Sequence, residues 1–282
     1  MTKPEHLPEQ DQQRPGQQSS MEPEPEIIRK GYQGSGKLKN KVALITGADS
    51  GIGRSVAVHF AIEGADVAII YDQSSEDADT TKSIIESHGG KVLLIQADLK
   101  KSDVCREIVQ KTTSELGKID VLVNNAGVQF PQDSIEQIDD KQLHLTFETN
   151  VYPLFYITRE VVKQMTSGDS IINTTSITAY RGHDILIDYA STKGAILSFT
   201  RSLSGNLANK NIRVNAVAPG PIWTPLIPST FDEVSDFGQN SPMGRPGQPS
   251  EVAPAFVYLA SDDSTYVTGQ VIHVNGGSVV GG

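Results

Sequence analysis

A tyrosine and a lysine four residues apart, Tyr189 and Lys193, are the residues best suited to chemistry, and Ser176 lies upstream of them. On a helix, residues with this spacing share one face and lie about one turn apart. A cation held there stabilises phenolate, so the pKa of the tyrosine, about 10 in a free side chain, is expected to fall toward neutrality. Such a tyrosine exchanges a proton with an alcohol or carbonyl oxygen. The same pair is common on ordinary helix surfaces, so the rest of the chain decides whether it is catalytic.

A glycine-rich segment, TGADSGIG (46–53), stands between the first predicted strand and the first predicted helix. Its glycines permit a tight turn and a close approach of the backbone to a ligand. The helix N-terminus behind them offers free N–H groups and a positive dipole end, which suit a pyrophosphate. A nucleoside triphosphate loop needs Gly-x-x-x-x-Gly-Lys-Ser/Thr, from which Ala48 and Arg54 depart. The segment therefore favours a dinucleotide.

These groups need a scaffold, and short apolar runs alternate with amphipathic segments from Lys41 onward. The runs are rich in Val and Ile and nearly continuously apolar, as strands covered on both faces are. In the first helical segment Ile52, Val56 and Phe60 recur at fourfold spacing, and Gly64 marks its end. The alternation predicts an α/β fold of the Rossmann type, a doubly wound parallel seven-stranded sheet with helices on both faces. The predicted strands are 41–46, 66–71, 91–96, 120–124, 170–175, 212–217 and 270–274.

Composition excludes several classes of protein. The chain has 282 residues, 37% of them hydrophobic and 21% charged, and a formal net charge of −10. No apolar run approaches the roughly 18 residues of a membrane span, and the N-terminus lacks the apolar region of a secretory signal. The acidic charge argues against nucleic acid or a membrane as a partner. The single cysteine, Cys105, cannot form an internal disulfide, which fits a cytoplasmic protein.

The chain divides into two parts. Residues 1–38 are rich in Pro, Gln, Glu and Ser and show no apolar periodicity, which predicts a flexible or loosely docked N-terminal extension. An inert solubilising tail and a role in assembly both remain open for it. Residues 39–282 show no internal repeat and no second boundary, so we expect one dinucleotide-binding catalytic domain there.

Taken together, these segments resemble the single-domain short-chain dehydrogenase/reductase family over about residues 38–282. The N-terminal extension is similar to that of a subgroup of bacterial stress-associated and sugar-dehydrogenase-like members. The motifs that carry the resemblance, in the family's order, are TGADSGIG (46–53), ADL (97–99), NNAG (124–127), Asn150, Ser176, YASTK (189–193) and PGPIWT (219–224).

The resemblance implies an NAD(P)-dependent oxidoreductase acting on CH–OH groups, which transfers a hydride between nicotinamide and a small carbonyl or alcohol substrate. Tyr189 would be the general acid/base, and Lys193 would lower its pKa and bind the nicotinamide ribose. Ser176 would hold the substrate oxygen in line. Asn150 would anchor a water that links Lys193 to solvent. A purely structural role is the alternative for the serine, the lysine and the asparagine.

The resemblance also implies a cofactor site and no metal site. Asp98 would lie at the adenine ring, and Asn124 and the residues after it would flank the adenosine ribose. Pro219 and the residues after it would border the nicotinamide and the phosphates. The full predicted set is Gly47, Asp49, Ser50, Gly51, Ile52, Gly53, Tyr71, Asp72, Asp98, Leu99, Asn124, Ala126, Gly127, Thr174, Tyr189, Lys193, Pro219, Gly220, Ile222 and Thr224.

The choice between NAD and NADP depends on charge at the end of the second strand. An acidic residue about 20 positions after the last motif glycine binds the ribose 2′-hydroxyl and repels a 2′-phosphate. Asp72 has that spacing, although the hydrophobic run places Tyr71 at the family's usual acidic position. Ser50 stands where NADP-preferring members often carry Arg or Lys. NAD(H) is therefore slightly favoured, and NADP(H) remains open because Ser74 and Ser75 could bind a phosphate.

Two further features bear on the site. Pro153 lies close after Asn150 and is expected to kink the helix that carries it. The segment 221–247 is too long for an ordinary connection and is predicted to be a lid. Its large apolar residues predict an apolar or mixed substrate pocket; they are Trp223, Leu226, Ile227, Phe231 and Phe237.

Assembly and competing functions complete the expectations. The helices of Asn150 and Tyr189 pack between subunits in family members, so a homotetramer is expected, with a dimer second. An alternative function is a nucleotide-binding regulatory or stress protein with the same fold and little turnover. The presence of all four implied catalytic residues, Asn150, Ser176, Tyr189 and Lys193, argues against it. A hydrolase using Ser176 and Lys193 would lack the Gly-x-Ser-x-Gly elbow. The substrate itself stays open.

Overall fold

The computed structural model describes residues 7–280; the predictions made for residues 1–6, 281 and 282 lie outside the described residues. Within that range seven strands form one parallel sheet in the order β3-β2-β1-β4-β5-β6-β7. Each strand falls on a predicted run, so the predicted fold class is confirmed. The strands are β1 (Val42–Thr46), β2 (Asp66–Tyr71), β3 (Val92–Gln96), β4 (Val121–Asn124), β5 (Ser170–Thr174), β6 (Arg213–Pro219) and β7 (Val271–Val274).

Helices cover both faces of the sheet. They are α1 (Gly51–Ile62), α2 (Ser75–Ser87), α3 (Ser102–Leu116), α4 (Asp140–Asn150), α5 (Tyr152–Val161), α6 (Thr178–Arg181), α7 (Ile187–Leu207) and α8 (Pro249–Ala260), with short 3₁₀ turns at Gln18–Ser20, Ile135–Gln137, Ala208–Lys210 and Asp262–Ser264. One apolar core lies between the strands and the helices α1 and α8, and a second lies on the opposite face under α3 and α5. Among the described residues, no helix combines the length and the apolar character needed to cross a bilayer.

The strand order reverses between β1 and β4, and this creates the ligand crevice of the fold. From β1 the sheet continues to β2 and β3 on one side, whereas β4 to β7 lie on the other. In open parallel sheets, ligands bind at such a point, outside the carboxyl ends of the strands. The glycine-rich turn follows β1 and the NNAG segment (124–127) extends from the end of β4, so both motifs stand at this crevice.

The helix of Asn150 does not run through Pro153 with a kink; it is interrupted at Val151, two residues before the proline. Pro153 lies in the first turn of α5, a separate helix that begins after α4 has ended at Asn150. The first turn of a helix tolerates proline because the N–H there has no partner within the helix. The two helices are separated by a break at Val151, whose N–H still bonds the carbonyl of Phe147 at 2.9 Å.

The N-terminal extension is docked on the domain by specific hydrogen bonds over its described residues; of the two predicted alternatives, flexible or loosely docked, the structure has a docked extension. The N–H of Gln12 bonds the carbonyl of Pro228 at 2.9 Å, and the N–H of Glu26 bonds the side chain of Gln248 at 2.9 Å. The extension binds through its backbone and through individual side chains, so no apolar periodicity marks it in the sequence.

Trp223 lies beneath the N-terminal extension and does not line the substrate pocket, so its predicted position was wrong. Its side chain is fully buried and packs in a small core with Leu7 and Met21. Its indole N–H donates a 2.7 Å hydrogen bond to the carbonyl of Pro23. The tryptophan therefore anchors the extension to the segment 221–247.

Candidate active site

A cleft of about 640 Å³ opens at the carboxyl ends of the central strands. The segment 221–247 forms one of its walls, and residues 14–16 of the N-terminal extension form part of its rim. That the segment moves as a lid stays a prediction. Every residue of the predicted cofactor set lines this cleft except Asn124.

The glycine-rich turn between β1 and α1 requires glycine at its critical positions. Gly47 and Gly51 have φ values of +61° and +54°, in the left-handed region that disfavours side chains. A Cβ atom added to Gly53 would lie 1.9 Å from the carbonyl oxygen of Gly47. The turn thus brings bare backbone and the N-terminus of α1 to the cleft surface, and this cradle fits a pyrophosphate.

A buried ion pair holds this turn from behind. Arg54 in α1 and Asp77 in α2 meet at 2.6 Å, and both side chains are almost completely buried. The guanidinium also donates 2.8 Å hydrogen bonds to the carbonyl of Asp49 and to the hydroxyl of Thr81. Since Arg54 is committed to these partners, it fixes the turn and does not serve the cleft directly.

Ser176, Tyr189 and Lys193 converge on one wall of the cleft. Ser176 follows β5, and the other two project from α7. The hydroxyl of Ser176 lies near that of Tyr189 and acts as a hydrogen-bond donor that lowers the tyrosine pKa. The ammonium of Lys193 lies 5.3 Å from the centre of the tyrosine ring and donates a 3.0 Å hydrogen bond to the carbonyl of Thr174. The i, i+4 spacing therefore places the phenol and the amine side by side.

Asn150 lies behind this wall and does not line the cleft. Its amide is fully buried and exchanges two 2.8 Å hydrogen bonds with the backbone of Val128. It also donates to Thr192 in α7 at 3.1 Å. A Cβ atom on Gly127 would lie 3.3 Å from Asn150 Oδ1 and 3.5 Å from Lys193 Nζ, so the two side chains border the same glycine. The water-anchoring role stays a prediction.

The expected fall in the pKa of Tyr189 was wrong. Desolvation raises that pKa to about 12, and the hydrogen bond from Ser176 opposes the rise. Burial also lowers the pKa of Lys193 to about 8. The spacing of four residues correctly predicted that Lys193 lies beside Tyr189. It could not predict that the protein would remove both groups from water. At neutral pH the phenol keeps its proton and is a hydrogen-bond donor.

The prediction that Asn124 lines the cofactor site was wrong by one position, because Asn125 lines the cleft instead. Asn124 points into the core, where it donates a 2.9 Å hydrogen bond to Asn173. The side chain of Asn125 bonds the carbonyl of Gly47 at 2.9 Å and accepts a hydrogen bond from Thr174. Asn124 is the last residue of β4 and faces the core, whereas Asn125 begins the loop after it and lines the cleft, so the NNAG motif contains one structural and one cleft-lining asparagine.

Two further residues contribute to the site although no sequence pattern points to them. Asp188 precedes Tyr189 and is buried; its carboxylate accepts hydrogen bonds from Thr146 at 2.7 Å and Gln142 at 3.1 Å, both in α4. This contact ties the start of α7 to the helix of Asn150. The second contributor, Arg14 of the N-terminal extension, reaches the rim of the cleft although no local pattern connects it to the site.

The arrangement can move a proton to or from an oxygen atom beside a bound dinucleotide. A protonated phenol, a hydroxyl and a buried amine share a crevice with the glycine-rich turn. General acid/base catalysis of this kind contributes about 10²- to 10⁴-fold to a rate.

Comparisons with known proteins agree with this description. A family model described as enoyl-(acyl carrier protein) reductase matches residues 47–278. The chain is 55% identical over 280 residues to general stress protein 39 of Bacillus subtilis, with 98% of each chain covered. It is 48% identical over 283 residues to glucose and ribitol dehydrogenase of Daucus carota, with 98% of this chain and 97% of that protein covered.

A solved structure is similar in fold as well as in sequence. A short-chain dehydrogenase from Burkholderia cenocepacia, in complex with NADP, superimposes with a TM-score of 0.81 at 29% identity. The match covers 86% of this chain and 98% of that one.

Proposed function

The chain belongs to the short-chain dehydrogenase/reductase family and is an NAD(P)-dependent oxidoreductase; on that premise, we propose that it acts on CH–OH groups and interconverts an alcohol and a carbonyl compound. Tyr189 is the general acid/base in this proposal. Ser176 orients the substrate oxygen, Lys193 holds the cofactor ribose, and Asn150 anchors the water that links the lysine to solvent.

The observation that supports this proposal most strongly is the grouping of Ser176, Tyr189 and Lys193 on the cleft wall. Tyr189 and Ser176 present two neighbouring hydroxyl groups to the cleft, so a substrate oxygen can contact both. The backbone of the glycine-rich turn offers a binding surface for the pyrophosphate in the same cleft. Proton transfer and hydride transfer can thus be arranged at neighbouring atoms.

When bound, the nicotinamide supplies or accepts the hydride. In the reduction direction, the hydroxyl of Tyr189 donates its proton to the carbonyl oxygen, and the product is a neutral alcohol. In the oxidation direction, the deprotonated form of the same residue accepts the alcohol proton. Burial lowers the pKa of Lys193 to about 8, so the lysine is largely charged at neutral pH.

We propose NAD(H) as the slightly favoured cofactor and keep NADP(H) as the alternative. Two cations near the proposed adenosine end have other partners: Arg54 pairs with Asp77, and Lys100 pairs with Asp98 at 3.0 Å. Asp72 lines the cleft there and is exposed, so it can accept a hydrogen bond from a ribose 2′-hydroxyl. NADP(H) remains the alternative because the similar dehydrogenase from Burkholderia cenocepacia was solved in complex with NADP.

We propose that the remaining residues of the predicted cofactor set contact the dinucleotide, with Asn125 in place of Asn124.

The assembly is proposed to be a homotetramer, with a dimer second. Apolar side chains on the outer face of α5 support an assembly, since Phe155 is 51% exposed and Tyr152 is 40% exposed. We also propose a cytoplasmic location. Residues 39–282 are proposed to be a single catalytic domain, preceded by the extension of residues 1–38.

A spectrophotometric screen tests the proposed activity. The full-length protein is mixed with NADH or NADPH and a panel of aldehydes, ketones and sugars, and with the oxidised cofactors and the matching alcohols, while the absorbance of the reduced nicotinamide is followed. We expect turnover of at least one pair. A parallel fluorescence titration gives the binding constant of each cofactor. Tight cofactor binding without any turnover would instead support the nucleotide-binding regulatory or stress protein as the function.

A further inference from the structure

The N-terminal extension crosses the cleft between the glycine-rich turn and the segment 221–247. The N–H of Gln18 donates to the carboxylate of Asp77 at 3.1 Å, and the side-chain oxygen of Gln18 accepts a 2.8 Å hydrogen bond from the N–H of Gly51. Farther toward the N-terminus, a Cβ atom on Gly16 would lie 2.4 Å from the carbonyl oxygen of Pro225. The extension therefore runs from the proposed pyrophosphate site toward the opposite end of the cleft.

The N-terminal extension brings one charged residue, Arg14, to the end of the cleft opposite the proposed pyrophosphate site. Its Nε donates a 2.9 Å hydrogen bond to the carbonyl of Ser229, and its guanidinium carbon lies 4.3 Å from the centre of the Phe130 ring. Phe130 belongs to the loop after β4, and Ser229 belongs to the segment 221–247. Arg14 is thus held between two different walls of the cleft, and its position is fixed even though the side chain is exposed.

The remaining donors of Arg14 have no partner within residues 7–280. No carboxylate of that range forms an ion pair with it, and its two terminal nitrogens make no hydrogen bond there. A guanidinium that stacks on an aromatic ring and keeps its terminal N–H groups free is preorganised to bind a carboxylate or a phosphate with two parallel hydrogen bonds.

Charge is distributed unevenly along the cleft. The carboxylates that line it follow β1, β2 and β3 at the proposed adenosine end, where Lys100 is paired with Asp98. No carboxylate of the described residues lines the opposite end. The lining residues with ionisable side chains at that end are Arg14, Arg181, His183, Tyr189 and Lys193. In a protein with a net charge of −10, a locally cationic end of this kind complements an anionic ligand.

We propose that Arg14 forms an anion-binding subsite at the substrate entrance, which selects carbonyl or alcohol compounds that carry a carboxylate or a phosphate. This inference rests on the proposed function, because it assigns a substrate class to the same cleft. The anionic group binds the free terminal nitrogens of Arg14, and the reacting oxygen lies deeper, at Tyr189 and Ser176. The N-terminal extension is then part of the specificity site.

Matched substrates test the subsite. Glyceraldehyde 3-phosphate is compared with glyceraldehyde, and glucuronate with glucose, by measuring kcat/KM with the full-length protein and each cofactor. In wild-type protein we expect the anionic member of at least one pair to be preferred. In Arg14→Gln that preference should fall about ten- to a hundredfold, as the loss of hydrogen bonds to a charged group implies. Lys30→Gln removes an exposed cation from the same extension and should leave the preference unchanged.

Three outcomes overturn the inference. The preference could be equal in wild type and Arg14→Gln, or the wild type could favour the neutral member of both pairs. Arg14→Gln could also weaken cofactor binding while leaving the substrate preference intact, which would make Arg14 a contact of the cofactor phosphates. The two substrate pairs distinguish phosphate from carboxylate recognition, and Arg14→Lys should restore only part of the preference because an ammonium cannot form the bidentate contact.

Calorimetry separates this inference from the proposed function. Binding of glyceraldehyde 3-phosphate and glucuronate is measured for wild type and Arg14→Gln. Binding that is lost in the variant, in a protein that turns over no substrate, would support the subsite and contradict the proposed activity. Turnover with binding that is independent of Arg14 would support the proposed activity and contradict the subsite.

Discussion

The floor and the roof of the cleft are built in different ways. The floor consists of the ends of β1, β4 and β5, the glycine-rich turn and α7, which are held by regular backbone hydrogen bonds. The roof consists of the N-terminal extension and the segment 221–247, which have little regular structure and are joined by single contacts. One such contact is the hydrogen bond from Trp223 to Pro23; another runs from the N–H of Val234 to Glu9 at 3.1 Å.

This difference indicates that the floor and the roof have different functions, proton transfer in the floor and substrate recognition in the roof. Proton transfer needs groups held to within a fraction of an ångström, and regular elements supply that precision. Recognition of the substrate's outer groups tolerates irregular segments, which are free to differ between relatives. We therefore expect changes in the floor to abolish turnover or unfold the protein, and changes in the roof to alter selectivity.

The largest effect is expected in the floor at Tyr189. Tyr189→Phe removes the acidic proton but keeps the ring, so kcat should fall about 10²- to 10⁴-fold. The cofactor dissociation constant should stay within a few-fold, as measured by fluorescence titration. Tyr180→Phe is the matched control, because that phenol packs against His273 outside the cleft lining and should retain activity. Near wild-type turnover in Tyr189→Phe would refute the acid/base role.

The ion pair under the floor should dominate stability. Arg54→Met leaves the carboxylate of Asp77 buried and uncompensated, which should lower the free energy of unfolding by about 3–5 kcal/mol. Lys37→Met is the control: it breaks an exposed pair with Asp263 and should have a much smaller effect, because solvent screens that pair. Urea titrations followed by circular dichroism give both values. Equal losses in the two variants would show that burial does not distinguish these pairs.

In the roof, Trp223→Phe should have an intermediate effect. The variant leaves the carbonyl of Pro23 without its partner, at a cost of about 1–3 kcal/mol. We expect faster proteolysis within residues 7–36 and little change in kcat, because the floor is untouched. Tyr266→Phe, at a fully exposed side chain, serves as the control. Loss of kcat without release of the extension would contradict the division between floor and roof.

The two reaction directions should respond differently to pH. Desolvation raises the pKa of Tyr189 to about 12, so the base form that oxidation needs increases about tenfold per pH unit from pH 6 to 8. The protonated form that reduction needs stays almost fully populated over that range. Alcohol oxidation should therefore accelerate with pH while carbonyl reduction stays nearly flat. Initial rates in both directions decide this, and a falling oxidation rate would contradict the assignment.

The smallest effect is expected at the adenosine end. Asp72→Ala removes an exposed negative charge from the cleft and should raise the affinity for NADP relative to NAD by a few-fold, since exposed charges are strongly screened. Asp79→Ala removes a comparable charge from the exposed face of α2 and should leave the ratio unchanged. An unchanged ratio in Asp72→Ala as well would exclude this residue from cofactor selection.

The same contrast explains what the sequence could predict. Strands and the glycine-rich turn depend on short-range patterns, so β2 was predicted to the residue and the turn was placed correctly. The roof depends on pairs such as Trp223 and Pro23, which lie 200 positions apart and leave no local pattern. Asn124 was chosen over Asn125 because a motif does not state which face each residue occupies. The pKa of Tyr189 depends on how much protein surrounds it, which spacing does not encode.

The anchoring of the N-terminal extension by Trp223 also constrains the order of events during synthesis. Pro23 leaves the ribosome well before its partner, because the tryptophan follows it by 200 positions in the chain. The contact between Pro23 and Trp223 therefore forms late, although Gln18 can already bond Gly51 in α1. Until the tryptophan has emerged, the part of the extension around Pro23 lacks this anchor, and we expect it to be more accessible to chaperones and proteases.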